Sequence, residues 1–271
     1  MGSYFQLLVL GIVQGLTEFL PVSSSGHLVL AQNLTGFDPP GVLTEVSLHM
    51  ATLIAVLAYF RRDLAALFLV RRETIALRGT YLFYLGLATT ATLALIYPFR
   101  HLLEALTEGR TAMLALVATF TATAAVMFAI DALLRSPRAR VSEVTRLGWL
   151  PTVVIGLTQG VAALPGISRS GTTIFMGVLL GLKREEAARF SFLLFIPAAV
   201  VAMAYELFQV GSGELAFPRE LVGPLLLGCL AALASGIAAI HLLLMLLQRA
   251  RLRWFGVYLL ILAAFTLLRT L

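Results

Sequence analysis

QGVAALPGISRSGTTI, residues 159–174, is the stretch on which the fold turns. Apolar runs flank it on both sides, yet it holds Pro165, Gly166, Arg169 and the hydroxyls of Ser168, Ser170, Thr172 and Thr173. A continuous membrane helix does not suit this composition. A helix that enters an apolar layer, breaks at Pro165-Gly166 and turns back does, provided protein or a wet cavity surrounds the break.

The rest of the chain supplies the apolar layer. Of 271 residues, 59% are hydrophobic and 13% charged, with a mean hydropathy of +0.93. A soluble domain carries about 25% charged residues, so the sequence predicts an all-α polytopic membrane protein. Six stretches are long enough to span: roughly 42–60, 80–98, 111–134, 188–210, 221–248 and 253–270. The N-terminal MGSYFQLLVLGIVQG has no basic segment and no small-residue cleavage site, and reads as mature structure. Cys229 is the single cysteine, which excludes an intrachain disulfide and a thiolate metal site.

Charge sets the expected topology. Three connections are rich in arginine: Arg61, Arg62, Arg71, Arg72 and Arg78; then Arg135, Arg138, Arg140 and Arg146; then Arg249, Arg251 and Arg253. The positive-inside rule assigns all three to the cytoplasm. Loops 99–110 and 211–220 mix charges and suit the outside. Residue 146 and the segment KREEAAR at 183–189 then share one side, so 147–182 enters and returns as a re-entrant hairpin. The same argument makes 4–35 a hairpin with both ends outside, and both termini are expected outside.

The hairpins resemble each other. QGLTEFLPVSSSGH starts at Gln14, and QGVAALPGISRSGT starts at Gln159, so Ser23-Ser24-Ser25-Gly26 matches Ser168-Arg169-Ser170-Gly171 at an offset of 145. Each half is one hairpin followed by three spans. Three is odd, so the second half is inverted. The expectation is one integral membrane domain over 1–271, with repeat one at about 1–134 and repeat two at about 147–271.

The candidate site lies at the two tips. Gln14 and Glu18 are four apart and share a helix face. A carboxylate at that depth costs several kcal/mol, on the order of 2.5–3.5, unless it is paired, ligated or protonated. Pro21 ends the first arm, and Ser23, Ser24 and Ser25 precede Gly26 and His27. At the second tip, Ser168, Arg169, Ser170, Thr172 and Thr173 surround the start of a helix. Arginine, hydroxyls and a helix N-terminus together suit an anion, phosphate above all. The plainer alternatives are that the serines cap helices and that Arg169 merely ties the tips by pairing with Glu18. Glu45 and His49 share a helix face and are expected behind the main site. Glu206, His101 and His241 are weaker candidates.

These motifs resemble those of the bacterial undecaprenyl-diphosphate phosphatase family of the bacitracin-resistance type. The family patterns are [E/Q]-x-x-x-E followed by P-x-S-S-x-G-H, then P-G-x-S-R-S-x-x-T, and both occur in order over a chain of matching length. The resemblance implies removal of one phosphate from undecaprenyl diphosphate, which regenerates the lipid carrier for envelope polymers. It implies dependence on a divalent cation, Mg2+ or Ca2+. It places functional roles on Gln14, Glu18, Ser24, His27, Ser168, Arg169, Ser170 and Thr173. Gln14 stands where other members carry glutamate, which weakens any mechanism needing two carboxylates there.

The expected chemistry is positioning, charge neutralisation and activation of a nucleophile. Glu18, Ser24, His27 and Arg169 are the catalytic candidates. Gln14, Ser23, Ser25, Ser168, Ser170, Thr172 and Thr173 are the phosphate-binding candidates, and Glu18 the candidate metal ligand. Ser24 attacks phosphorus with His27 as base, or water attacks with His27 or Glu18 as base; the sequence leaves both open. A transporter or flippase for a phosphate-bearing substrate is the competing function, since inverted repeats with broken helices also build carriers. A polyprenyl diphosphate is the expected partner, with no nucleic acid; a homodimer is among the assemblies the sequence allows. The expected location is the bacterial inner membrane, with the site open to the outer face.

Overall fold

A computed structural model describes residues 2–35, 41–68, 75–105, 109–135, 143–210 and 219–270. Among them the regular structure is helical, with no strand. The helices are α1 (Gly2–Phe19), α2 (Ser24–Thr35), α3 (Gly41–Tyr59), α4 (Arg61–Phe68), α5 (Ile75–Ala105) and α6 (Gly109–Arg135) in the first half. The second half holds α7 (Trp149–Val161), α8 (Arg169–Leu179), α9 (Arg184–Val210), α10 (Arg219–Gln248) and α11 (Arg253–Thr270). Segments in α5, α6, α9, α10 and α11 are long and apolar enough to cross a bilayer, and α3 with α4 makes a sixth candidate bent by 71°. The chain is therefore a multi-pass membrane protein. Its helices satisfy their own backbone groups, as an apolar layer demands.

Two expectations need correction. The first basic connection is not a plain loop: RRDLAALF forms α4, because its charged and apolar residues separate onto opposite faces of one helix. Arg78 lies inside α5, which starts at Ile75 and runs through Pro98 to Ala105, into the stretch expected as the 99–110 loop. Arg71, Arg72, Arg138 and Arg140, and most of the 211–220 loop, lie outside the described residues.

Five close helix pairings organise the described residues: α1 with α10, α7 with α5, α6 with α11, α3 with α10, and α3 with α9. Small residues set the first two. Gly11 and Gly15 bring α1 so near α10 that a β-carbon at either would overlap the Gly228 or Ala232 carbonyl. Gly156 of α7 meets the Ala88 carbonyl of α5 in the same way, and Gly160 packs against Leu95 and Thr92. Two Gly-x-x-x-Gly pairs thus drive backbone-to-backbone packing, the usual means of helix association where no hydrophobic effect separates helix from lipid. Beneath the first tip, the buried rings of Phe19, Phe192 and Phe195 meet edge to face, with centroids 5.8 and 6.1 Å from Phe19. That cluster is the floor on which the site rests.

Candidate active site

Both broken helices end in the same local device. In the first, Pro21 follows α1, and Ser23 takes a left-handed backbone conformation with φ of 69°. For a residue with a β-carbon this costs about 1–2 kcal/mol. The hydrogen bonds around Ser23 offset it: its Oγ accepts from Gly26 N at 3.3 Å and from Gly166 N of the other tip at 3.1 Å. In the second, Gly166 has φ of 89°, a value natural to glycine alone. Ser168 then caps α8, its Oγ accepting from Gly171 N at 3.1 Å. Thr123 of α6 fixes this turn by donating to Gly166 O at 2.8 Å and accepting from Ser168 N at 3.2 Å.

The tips meet. Arg169 Nη2 lies 2.7 Å from Glu18 Oε1, with both side chains largely buried. The other carboxylate oxygen, Oε2, accepts from Ser24 Oγ at 2.7 Å and from Gln14 Nε2 at 3.2 Å. His49 Nε2 stands 4.0 Å from that same oxygen. Its Nδ1 is hydrogen-bonded to the Glu45 carbonyl at 3.0 Å, so Nδ1 carries the proton and Nε2 faces Glu18. The Arg169 guanidinium lies 4.0 Å above the Phe195 ring, and its Nη1 is buried without a hydrogen-bond partner. One guanidinium nitrogen is thus spent on Glu18, and another is a donor with nothing to donate to.

A cavity of about 270 Å³ opens beside this network. Of the candidates from the sequence, Glu18, Ser23, Ser24, Ser25, Ser168, Arg169 and His49 line it. Gln14, Ser170, Thr172 and Thr173 do not. Gln14 is fully buried behind Glu18. Ser170 Oγ sits 3.4 Å from Ser168 Oγ. Thr172 donates back to Ser168 O at 2.8 Å, and Thr173 donates to Arg169 O at 2.7 Å and touches Ser191 Oγ at 2.6 Å. These three shape the start of α8 instead of reaching into the cavity. Glu45 is exposed on α3.

His27 also turns away. Its Nδ1 meets the Ser23 carbonyl at 2.7 Å, and its Nε2 meets the Tyr258 hydroxyl at 2.6 Å. A carbonyl only accepts, so Nδ1 bears the proton and Nε2 accepts from Tyr258. The two rings stack 5.7 Å apart at 11°. Tyr258 was not expected at the site from sequence, nor were Thr92, Gln159 and Phe195, which line the cavity. Gln159 opens the second hairpin motif as the counterpart of Gln14 but was given no site role, and Thr92, Phe195 and Tyr258 lie outside both motifs. Glu206, a weaker candidate, lines the cavity as well.

Among the described residues no group of three or more His, Cys, Asp or Glu is placed to hold a metal ion. Glu18 is the one carboxylate at the tips, and both its oxygens already accept hydrogen bonds.

Comparison with known proteins agrees with the motifs. The family model described as bacitracin resistance protein BacA matches residues 7–265. An undecaprenyl-diphosphatase of Rubrobacter xylanophilus is 39% identical, with 97% of each chain covered. One of Idiomarina loihiensis is 35% identical over 96% of this chain and 97% of its own length. Undecaprenyl-diphosphatase 2 of Stutzerimonas stutzeri is 37% identical over 96% of this chain and 95% of its own. With residues of both signature motifs lining one cavity and the similarity running nearly end to end, the chain belongs to the bacitracin resistance protein BacA family.

Proposed function

We propose that the chain hydrolyses undecaprenyl diphosphate to undecaprenyl phosphate and inorganic phosphate. The observation that carries this is the Ser24–Glu18–Arg169 network at the wall of one cavity. A carrier needs to bind and release an anion. It has no need of a hydroxyl hydrogen-bonded at 2.7 Å to a buried carboxylate. Ser24 Oγ attacks the terminal phosphorus, and its proton passes to Glu18. The phosphorus–bridging-oxygen bond breaks, and the lipid monophosphate leaves with the electron pair and receives that proton from Glu18. Water then attacks the phosphoserine. One of its protons travels through Glu18 to Ser24 Oγ, and the other stays on the released phosphate. Arg169 Nη1 donates to the phosphoryl oxygens throughout. Glu18 takes the base role in preference to His27, whose two ring nitrogens are both engaged off the cavity. His27 instead clamps the Ser23 carbonyl and so aims Ser24.

The test is phosphate release from undecaprenyl diphosphate by purified protein in detergent. Wild-type protein releasing none would end the proposal. The divalent cation that the resemblance implies is proposed to arrive on the diphosphate, because the tips offer a single, already engaged carboxylate. A chelator is then expected to abolish turnover while leaving the thermal unfolding midpoint unchanged, since an ion that the free protein does not hold cannot stabilise it. A fall of several degrees with chelator would instead reveal a protein-held ion.

We also propose the inverted repeat with two re-entrant hairpins and six spans, in the bacterial inner membrane. Its support is that exchanging the halves maps the α1–α10 pairing onto α7–α5, and Gly11 and Gly15 onto Gly156 and Gly160 at the offset of 145 seen in the motifs. With Cys229 replaced by alanine, an Arg138→Cys variant is expected to resist an impermeant thiol reagent applied to intact cells, and a Glu108→Cys variant to react. Outside labelling at position 138 would refute the topology.

A further inference from the structure

Helix α3 brings one more group to the reactive tips. His49 lines the cavity, its side chain is 35% exposed, and its Nε2 stands 4.0 Å from Glu18 Oε2. Nδ1 holds the ring in one orientation by donating to the Glu45 carbonyl at 3.0 Å, four residues back on the same helix. Nε2 of the neutral ring therefore presents a lone pair, and it faces a carboxylate oxygen. The gap between these two acceptors is too long for a direct hydrogen bond. What joins two acceptors is a molecule with two hydrogens to give, and water is that molecule.

The reaction itself makes the place for it. In the free enzyme Glu18 Oε2 accepts from Ser24 Oγ at 2.7 Å and from Gln14 Nε2 at 3.2 Å. Once Ser24 carries the phosphoryl group, its O–H is gone. Oε2 then lacks its closest donor at the moment when water must be held beside phosphorus. Arg169 does not fill the gap, because it pairs with the other oxygen, Oε1, at 2.7 Å. We propose that His49 holds the water that hydrolyses the phosphoserine, a role that rests on the serine-ester reaction above. The water donates one O–H to Glu18 Oε2 and the other to His49 Nε2, which leaves an oxygen lone pair for phosphorus. As the new oxygen–phosphorus bond forms, Glu18 takes the first proton. The bond from phosphorus to Ser24 Oγ breaks, the serine oxygen keeps the electron pair, and Glu18 passes the proton to it. The second hydrogen, directed at His49 during the attack, stays on the phosphate produced.

An alcohol separates this role from a structural or purely electrostatic one. Methanol has a single O–H, which Glu18 takes, so it gains nothing from His49, whereas water does. Wild-type, His49→Leu and His49→Gln proteins are incubated with undecaprenyl diphosphate in water–methanol mixtures, and methyl phosphate and inorganic phosphate are measured separately. Loss of one well-placed hydrogen bond to water is expected to raise the ratio of methyl to inorganic phosphate about tenfold in His49→Leu. His49→Gln is expected to restore the ratio towards that of the wild type, since its amide oxygen is a neutral acceptor of similar reach. Formation of the phosphoserine, followed by rapid quenching with labelled substrate, is expected to keep its wild-type rate, because that step does not use the water. The ratio is set inside each active site, so it does not depend on how much protein is folded. If His49→Leu does not fold, His49→Phe carries the same test with a ring that has no acceptor. A wild-type ratio in the folded apolar variant overturns the proposal, and so does a His49→Gln ratio no different from that of His49→Leu. Wild-type protein that traps no label on Ser24 defeats the serine-ester reading itself, and this inference with it.

Discussion

Ser24→Ala is expected to lower kcat by roughly 10⁴-fold or more, the scale on which hydrolases lose turnover when a nucleophilic serine is removed. The geometry gives the reason. Ser24 Oγ donates to Glu18 Oε2 at 2.7 Å, which orients the hydroxyl and provides a place for its proton. Alanine removes the attacking atom while leaving Arg169 and the other tip in place. Substrate binding is therefore expected to persist, and the variant should fold, since Ser24 is only half-buried. If water attacked directly, Ser24 would be no more than one hydrogen-bond partner of Glu18, and its loss would cost about tenfold. The decisive measurement is turnover together with acid-quenched trapping of labelled phosphate. Label on Ser24 of the wild type and none in the variant would identify the serine ester. Turnover in Ser24→Ala within a factor of about ten of wild type would exclude it.

The fold was more legible than the site, for physical reasons. A span must be a long apolar run, because its backbone has no water to bond to. The runs at 188–210, 221–248 and 253–270 accordingly appear as α9, α10 and α11. The breaks were readable because Pro21, Pro165 and Gly166 are incompatible with a straight helix, and the meeting of Glu18 with Arg169 followed from charges that need partners in an apolar layer. Side-chain directions were not readable. Thr172 and Thr173 look like phosphate ligands in a string of hydroxyls, but in the first turns of a helix such residues bond back to carbonyls three and four positions earlier. His27 looks like the partner of Ser24 at a spacing of three, yet it bonds Tyr258, 231 residues away. Thr92 and Gln159 are joined across two helices 67 residues apart, and nothing local announces the pair.

Arg169→Lys separates the two roles that one guanidinium now holds. The observed ion pair with Glu18 at 2.7 Å shows that Arg169 does tie the tips, as the plainer alternative required. It does not show that the tie is all it does, because Nη1 remains buried and unpartnered on the other side of the same group. Lysine can replace the tie: one ammonium meets Glu18, and the buried carboxylate keeps its countercharge. It cannot replace the fork, since a single point charge holding Glu18 has no second rigid donor for a phosphoryl oxygen. The expected result is a folded protein with a near-normal unfolding midpoint and kcat reduced about 10²–10³-fold. Arg169→Ala should differ in kind. It strands the Glu18 charge in a water-poor site, and a loss of about 3–5 kcal/mol in stability is expected. Turnover and thermal unfolding measured side by side on both variants decide the matter. If Arg169 only ties the tips, lysine restores activity along with stability, and near-normal turnover in Arg169→Lys would remove the phosphate from this nitrogen. If stability is kept and turnover lost, the contact that lysine cannot make is the one the reaction uses.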